Sequence, residues 1–465
     1  MGKIMVTAGA ALILWAGLAQ GNPPDSLWSK TFGGASDDGC HAVVELADGR
    51  LALAGTATSF GAGGMEYWLV IARENGDSLM SRNYGAGDCN ALIQTRDGGL
   101  ALGGTRIVET DRNLNASLNQ PAEVRAYSMV QDAEGNFALL GMAGVGEGNY
   151  DFRLVKFGRW SKHYGGESQE EGFAIAAMDD GGFALAGYAM SYGADKDVWL
   201  VRTDAAGDVI WARNYVRSGP DICYSMVKTD DGGFMLAGET TRRGLVADIE
   251  FLLMKVNADG DLQWTRCYGK NTRQEGCNSI SKTYDGGFIL GGTVINPNAR
   301  DANMWALRVN AEGDSLWSVS LGGRGNENCY SVIQTADGGF ALGGYTYSYG
   351  SGMGDYWLVK LAAEPVNGAQ HEAIPSPYGF SLAPPYPNPF NGVVNLSFRT
   401  AKPGRYFLEM VDPSGRSVAK LFDEFAGAGE RRIVWDSQGS PAGRYWVRME
   451  SEFGETQSAP ITLVK

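Results

Sequence analysis

Ala336-Asp337-Gly338-Gly339, followed directly by Phe340-Ala341-Leu342-Gly343-Gly344, is the clearest of seven copies of one turn. The run Cys329 to Thr335 ahead of it alternates in polarity, and an Asp-Gly pair between two such runs is a favoured hairpin connection. Tyr356-Trp357-Leu358-Val359-Lys360 then reads as a third strand. The other copies are Ala47-Asp48-Gly49-Arg50, Arg96-Asp97-Gly98-Gly99, Ala133-Glu134-Gly135-Asn136, Asp179-Asp180-Gly181-Gly182, Asp230-Asp231-Gly232-Gly233 and Tyr284-Asp285-Gly286-Gly287. From acid to acid the steps are 49, 37, 46, 51, 54 and 52 residues. In most copies a second turn, such as Asn310-Ala311-Glu312-Gly313-Asp314, leads to a fourth strand, such as Leu316 to Leu321. Four short antiparallel strands per copy at a period near fifty predict an all-β chain organised as a seven-bladed β-propeller.

The ends of the repeat suggest how the ring shuts. The seventh copy stops after Leu361 without a fourth strand, while Leu27-Trp28-Ser29-Lys30-Thr31-Phe32 stands alone before the first copy. The amino-terminal strand is expected to complete the last blade. Between Gly104 and Glu123 the third and fourth strands are hard to place, so six or eight blades also fit the spacing.

The chain has 465 residues and a net charge of −14, which leaves no basic surplus for nucleic acid. Its three histidines, His41, His163 and His371, leave little for zinc or triad chemistry. Lys3 precedes an apolar run from Ile4 to Leu18, and Gly17-Leu18-Ala19 supplies the small residues of a cleavage site. Residues 1–19 are read as a signal peptide, since about fifteen apolar residues fall short of the roughly twenty that span a membrane. The mature chain is then exported, with no transmembrane segment expected.

Five cysteines, Cys40, Cys89, Cys223, Cys277 and Cys329, each lie eight residues before their turn acid. They occupy one repeated position and read as small buried thiols. Two positions earlier five copies carry an acid: Asp38, Glu170, Asp221, Glu275 and Glu327. That point opens the innermost strand, so these acids are expected to ring the mouth of the central channel, as solvated turn residues or as a cation or polyol site. The sequence calls for no cofactor, and Ca2+ is the cation such carboxylates would suit. Arg242, Arg243 and Arg273 lie in neighbouring loops and could meet an anionic partner.

Because successive strands run antiparallel, the tight Asp-Gly turns fall on one face of the disc. The opposite face carries the stretches Thr58 to Glu66, Arg106 to Arg125, Met190 to Asp197, Thr240 to Asp248, Val294 to Asn303 and Tyr347 to Asp355. Variable loops on a rigid scaffold are where binding usually resides.

The propeller is expected over residues 20–363, with a proline-bearing linker at 364–377 and a small β-sandwich at 378–465. Tyr386-Pro387-Asn388-Pro389-Phe390-Asn391, Val411-Asp412-Pro413-Ser414-Gly415-Arg416, Trp435-Asp436 and Ala442-Gly443-Arg444-Tyr445 follow in order, ending in Ile461-Thr462-Leu463-Val464-Lys465. This series resembles the type A carboxy-terminal sorting domain of the type IX secretion system, departing from it at Arg444. The resemblance implies an Ig-like fold and a partner in the secretion machinery. It also implies passage through the periplasm to the outer surface of a Gram-negative-type bacterium, or release beyond it. The repeat itself is similar to uncharacterised propeller repeats of bacterial surface proteins. The expected function is a non-enzymatic binding or scaffold module that presents its loop-rich face to a glycan or a protein. A secreted carbohydrate-active enzyme with its site at the channel mouth, or a purely structural or adhesive surface protein, are the alternatives.

Overall fold

The repeated turn explains the first hairpin of each copy. At the last one Gly338 has φ +81°, a region glycine enters at little cost. Asp337 Oδ1 accepts from the Thr335 hydroxyl at 2.7 Å and from the Gly339 N–H at 2.9 Å. Lys360, on the third strand, brings its buried ammonium to 2.8 Å from the other carboxylate oxygen. The same pairing joins Arg202 to Asp180, Lys255 to Asp231 and Arg308 to Asp285, while Lys156 reaches Asp132, two residues before its turn acid. A basic residue near the end of the third strand thus ties the third strand to the first turn.

The computed structural model describes residues 22–364 except 47, 62, 147–148, 242–248, 270–273 and 297–300, together with the short segments Met5–Val6 and Ile13–Trp15. It also describes 380–464 except 383–384, 386–389, 401–403, 413–415, 427–428, 438 and 452–455. The chain divides into two compact units, Met1–Glu364 and Pro365–Lys465. The expected cleavage point at Ala19 and most of the expected linker lie outside the described residues. Met5–Val6 and Ile13–Trp15 run parallel to the outer strands Val209–Tyr215 and Leu262–Tyr268.

The first unit is a β-propeller built of four-stranded antiparallel sheets, each in simple sequence order, over residues 38–86, 89–121, 125–164, 170–215, 221–268, 275–321 and 327–361. The last takes its fourth strand, Ser26–Phe32, from the amino-terminal end, antiparallel to Asp355–Leu361. The first strand of each sheet packs on the first strand of the next, and Glu327–Gln334 of the seventh packs on Asp38–Glu45 of the first. The contacts therefore run in a closed cycle. Second and third strands are covered on both faces, so Leu51–Ala57, Glu66–Ala72, Phe183–Ala189 and Asp197–Thr203 are buried throughout.

Two fastenings recur between neighbours, and the closing junction uses both. On the inner strands Ile280 donates its N–H to Ser225 Oγ, Val332 to Ser279 Oγ, and Val43 to Ser331 Oγ at 3.1 Å. At the outer edge a fourth-strand tryptophan covers the turn glycine of the next sheet, Trp160 over Gly207 and Trp211 over Gly260. A cation two residues on pairs with the turn acid, as in Lys162 with Asp208 at 2.6 Å. Trp28 over Gly76 and Lys30 with Asp77 at 2.8 Å repeat this arrangement for the amino-terminal strand.

The 37-residue step also finds its explanation. Arg106 to Arg125 is not a long loop: it holds the third and fourth strands, Arg106–Thr110 and Ala116–Pro121. Thr105 alone connects the second strand to the third. That connection is too short to be recognised by composition, and it leaves this sheet without the loop that the first sheet carries between Leu51–Ala57 and Glu66–Ala72.

The second unit has two antiparallel sheets. One orders Phe380–Leu382, Val393–Thr400 and Gly429–Asp436, and the other Ser417–Ala426, Gly404–Val411, Gly443–Ser451 and Thr456–Leu463. A single core of Phe390, Leu396, Phe398, Leu408, Trp435 and Ile461, with others, is shared by residues of both.

Candidate functional site

Every inner strand carries a β-bulge at the same place. The register slips between Cys40 and Ala42, Cys89 and Ala91, Ala126 and Ser128, Gly172 and Ala174, Cys223 and Ser225, Cys277 and Ser279, and Cys329 and Ser331. A bulge leaves one residue out of the ladder and re-aims its side chain. The seven extra residues are His41, Asn90, Tyr127, Phe173, Tyr224, Asn278 and Tyr330, and all seven border one cavity of about 540 Å³. That volume is within the range of small-molecule sites.

The ring is held from sheet to sheet. Asn90 Nδ2 donates to the Ala126 carbonyl at 3.0 Å, and Asn278 Nδ2 to the Cys329 carbonyl at 2.9 Å and to Asn328 Oδ1 at 2.8 Å. His41 Nδ1 lies 2.6 Å from the Cys89 carbonyl, which makes it the protonated nitrogen, since a carbonyl can only accept. Burial lowers the pKa of this imidazole, so it is neutral and its Nε2 carries a lone pair. Tyr127, Phe173 and Tyr224 form a continuous aromatic arc with ring centres 5.0 Å apart, and Tyr188 extends it. Across the ring, Tyr330 meets His41 edge-on at 5.2 Å and packs on Tyr345, which meets Tyr347. Arg125 and Asp88 pair at 2.5 Å on the cavity's border. Met65 and Tyr347, from the loops after the second strands, are exposed and also border it.

The five acids expected at the channel mouth are placed differently. Asp38, Glu170, Asp221, Glu275 and Glu327 are at most 2% exposed, and Asp38 alone among them borders the cavity. The carboxylates of Asp38, Glu170 and Glu327 clasp backbone. Asp38 accepts from the N–H groups of Gly34, Thr58 and Ser59 at 2.9 to 3.1 Å. Glu170 accepts from Gly166 at 2.8 Å and Ser191 at 3.0 Å, and Glu327 from Gly323 at 3.0 Å and the Thr346 hydroxyl at 3.0 Å. Each staples the link from the preceding sheet to the loop after its own second strand. Asp221 faces Arg217 at 3.4 Å, and burial raises its pKa to about 6 against the pull of that guanidinium. The acids are not solvated turn residues, and only Asp38 meets the cavity; for Asp38, Glu170 and Glu327 the reason is that the backbone N–H groups of these links need an acceptor where water does not reach. Among the described residues no group of three or more His, Cys, Asp or Glu is placed to hold a metal.

Arg242, Arg243 and Arg273 lie outside the described residues, as do Pro387, Asn388, Pro389 and Gly415. Phe390 is in the core of the second unit, bridged to Leu463 and 5.5 Å from the Trp435 ring. Asn391 is exposed beside it, and Arg416 closes a turn onto Asp412. All six cysteines are free and buried, and each of the five periodic thiols lies near the carbonyl two residues on, as Cys329 does to Ser331 at 3.4 Å. The sequence signal for the ring was one position away from those cysteines: the residue at that place is aromatic, histidine or asparagine in all seven copies.

No family model matches the chain, and no curated protein does. Among solved structures it is similar to a WD40 β-propeller domain of Doa1, with 15% identity over 74% of this chain and 98% of that one and a TM-score of 0.45. It is also similar to Sqt1 from Chaetomium thermophilum, with 10% identity over 73% and 99% and a TM-score of 0.45. BamB from Moraxella catarrhalis matches with 10% identity over 73% and 99% and a TM-score of 0.42.

Proposed function

We propose that this chain is an exported, non-enzymatic binding protein: a closed seven-bladed propeller that takes its ligand at the channel mouth, followed by an Ig-like domain that addresses it to the type IX route. The observation that carries the reading is the ring of seven bulged residues. Seven independent strands break their ladder at one level, and each turns a hydrogen-bonding or aromatic side chain toward a shared cavity. Packing alone asks for none of this.

Binding without turnover is favoured by the state of the nearby acids. Glycoside hydrolysis requires two carboxyl groups available to the substrate. Of those bordering the cavity, Asp38 is saturated by three backbone N–H groups, Asp88 by Arg125 and the Thr56 hydroxyl, and Asp37 accepts from Gly354. The export and sorting parts of the proposal rest on the leader-like run before Gln20 and on the ordered motifs from Tyr386 to Lys465.

Screening the purified protein on glycan and peptide arrays, with a parallel assay for polysaccharide turnover, tests the function. Binding without product supports it, product formation favours the enzyme, and a blank on both arrays favours a structural spacer. Deleting residues 376–465 and fractionating the native host tests the address, with accumulation in the periplasm as the expected result.

A further inference from the structure

We propose that the channel mouth receives an organic cation, an ammonium or guanidinium group carried on a flexible chain. This names the ligand class of the site above and rests on that reading. It follows from which atoms the ring has left over. Asn90 commits one Nδ2 proton to the Ala126 carbonyl, which orients the amide and leaves its Oδ1 as an acceptor beside the second proton. Asn278 has both amide protons engaged, by the Cys329 carbonyl and by Asn328 Oδ1, and likewise keeps an oxygen. His41, protonated on the nitrogen that meets the Cys89 carbonyl, keeps the lone pair of Nε2. Tyr224 donates its hydroxyl to Glu239 at 3.2 Å. Asn90, Asn278 and His41 thus each present an acceptor, and between them lie the π faces of Tyr127, Phe173 and Tyr330.

Charge points the same way. Among the described residues bordering the cavity, Asp37, Asp38 and Asp88 face a single cation, Arg125, and that one is held by Asp88. The aromatic arc already hosts two cations of this chain: Lys196 Nζ stands 4.3 Å above the Tyr188 ring, which packs on Phe173, and the Arg125 guanidinium 5.8 Å over Tyr127. A π face attracts a positive charge placed over it, and acceptors around it satisfy the N–H groups of that charge. A neutral sugar would bring no charge to answer the three carboxylates on the border. The chemistry is shared by a free polyamine and by a lysine or arginine side chain of a partner protein.

Calorimetry on the purified full-length protein at low and physiological salt separates these. The probes are spermidine, an acetylated tetralysine amide, and a neutral hexasaccharide. Binding of spermidine and the peptide supports the proposal with a free polyamine as a sufficient ligand, and binding of the peptide alone supports it with a partner's side chain as the source. In either case Phe173→Leu is expected to weaken binding about tenfold and Phe173→Trp to retain it. Arg125→Gln, at a half-exposed position, is expected to tighten binding by about threefold or more, because it frees Asp88. Cation binding that ignores both Phe173→Leu and Arg125→Gln belongs elsewhere on this acidic surface and overturns the proposal. Binding of the hexasaccharide without either cation overturns it too, but leaves the channel-mouth reading standing.

Discussion

The backbone N–H of Ala336 donates to Glu45 Oε2 at 2.7 Å, across 291 residues of chain. The same position at the end of the inner strand reaches back to the turn of the preceding sheet elsewhere, from Gln131 to Arg96 and from Gln334 to Tyr284. Lys228 and Lys282 do so by ion pairs with Asp179 and Asp230. The junction between the last sheet and the first is therefore built like the others, and the amino-terminal strand completes it.

Removing Asp25 to Phe32 should leave Asp355–Leu361 as an unpaired edge and cause aggregation. The milder Trp28→Ala, which uncovers Gly76, should cost about 2 kcal/mol. Thermal melting with light scattering checks both, and an unchanged midpoint in the truncated protein would show that the ring closes in another way.

Asp132 and Lys156 are paired at 2.8 Å with both side chains nearly buried. Asp132→Ala leaves a buried ammonium without its partner and should destabilise the propeller by about 3 kcal/mol. Urea titration measures this. A loss below about 1 kcal/mol would mean that solvent reaches the ammonium.

Glu170→Gln keeps the shape of the side chain but offers an N–H₂ group to one of the two N–H donors, Gly166 or Ser191. The expected loss is about 2 kcal/mol in stability with ligand binding unchanged. Calcium should leave the melting temperature of either protein where it is. A calcium-induced rise that vanishes in the variant would return this acid to the ligand site.

Burial raises the pKa of Asp221 from 3.8 to about 6 and that of Glu45 from 4.5 to about 7. The folded chain holds these protons more tightly than the unfolded chain, while the imidazole of His41, whose pKa burial lowers from 6.5, works against them; with two acids against one imidazole, stability should rise as pH falls from 7.5 to 5. Asp132 works in the opposite sense, its pKa held near 2 by Lys156 and Asn136 against its desolvation, but its contribution is lost only as pH falls below about 4. Melting temperatures across this range check the direction. Asp221→Asn should flatten the rise, and an equal slope in the variant would assign the protons elsewhere.

Phe390→Ala removes a core ring of the second unit and should destabilise that unit by about 3 kcal/mol. Near-ultraviolet circular dichroism of the Trp435 environment during thermal unfolding reports it, and an undisturbed signal would place the ring outside the core.

The repeat made the sheets legible, because an Asp-Gly turn flanked by alternating runs has few other uses. Closure by Leu27 to Phe32 could be read from a missing strand at one end and an orphan at the other. The second sheet was obscured because Thr105 alone forms its connection. The candidate ring lies a few residues from the acids that the sequence singles out. Asp38, Glu170 and Glu327 attracted notice as charges, yet nothing in a sequence tells whether a carboxylate will meet water or a row of backbone N–H groups. His41, Asn90 and Phe173 differ too much in chemistry to look like one repeated position until the bulges place them at one level.

The channel-mouth claim is tested most directly by the double variant Phe173→Leu, Tyr330→Leu, which removes one aromatic from each side of the ring. On whichever array feature the wild-type protein recognises, titration of the variant should show at least tenfold weaker binding, since two aromatic anchors that a ligand covers are worth about 2 kcal/mol or more together. Its melting temperature should stay close to that of the wild type. Undiminished binding by a variant that still folds would contradict the account and move the ligand off the channel.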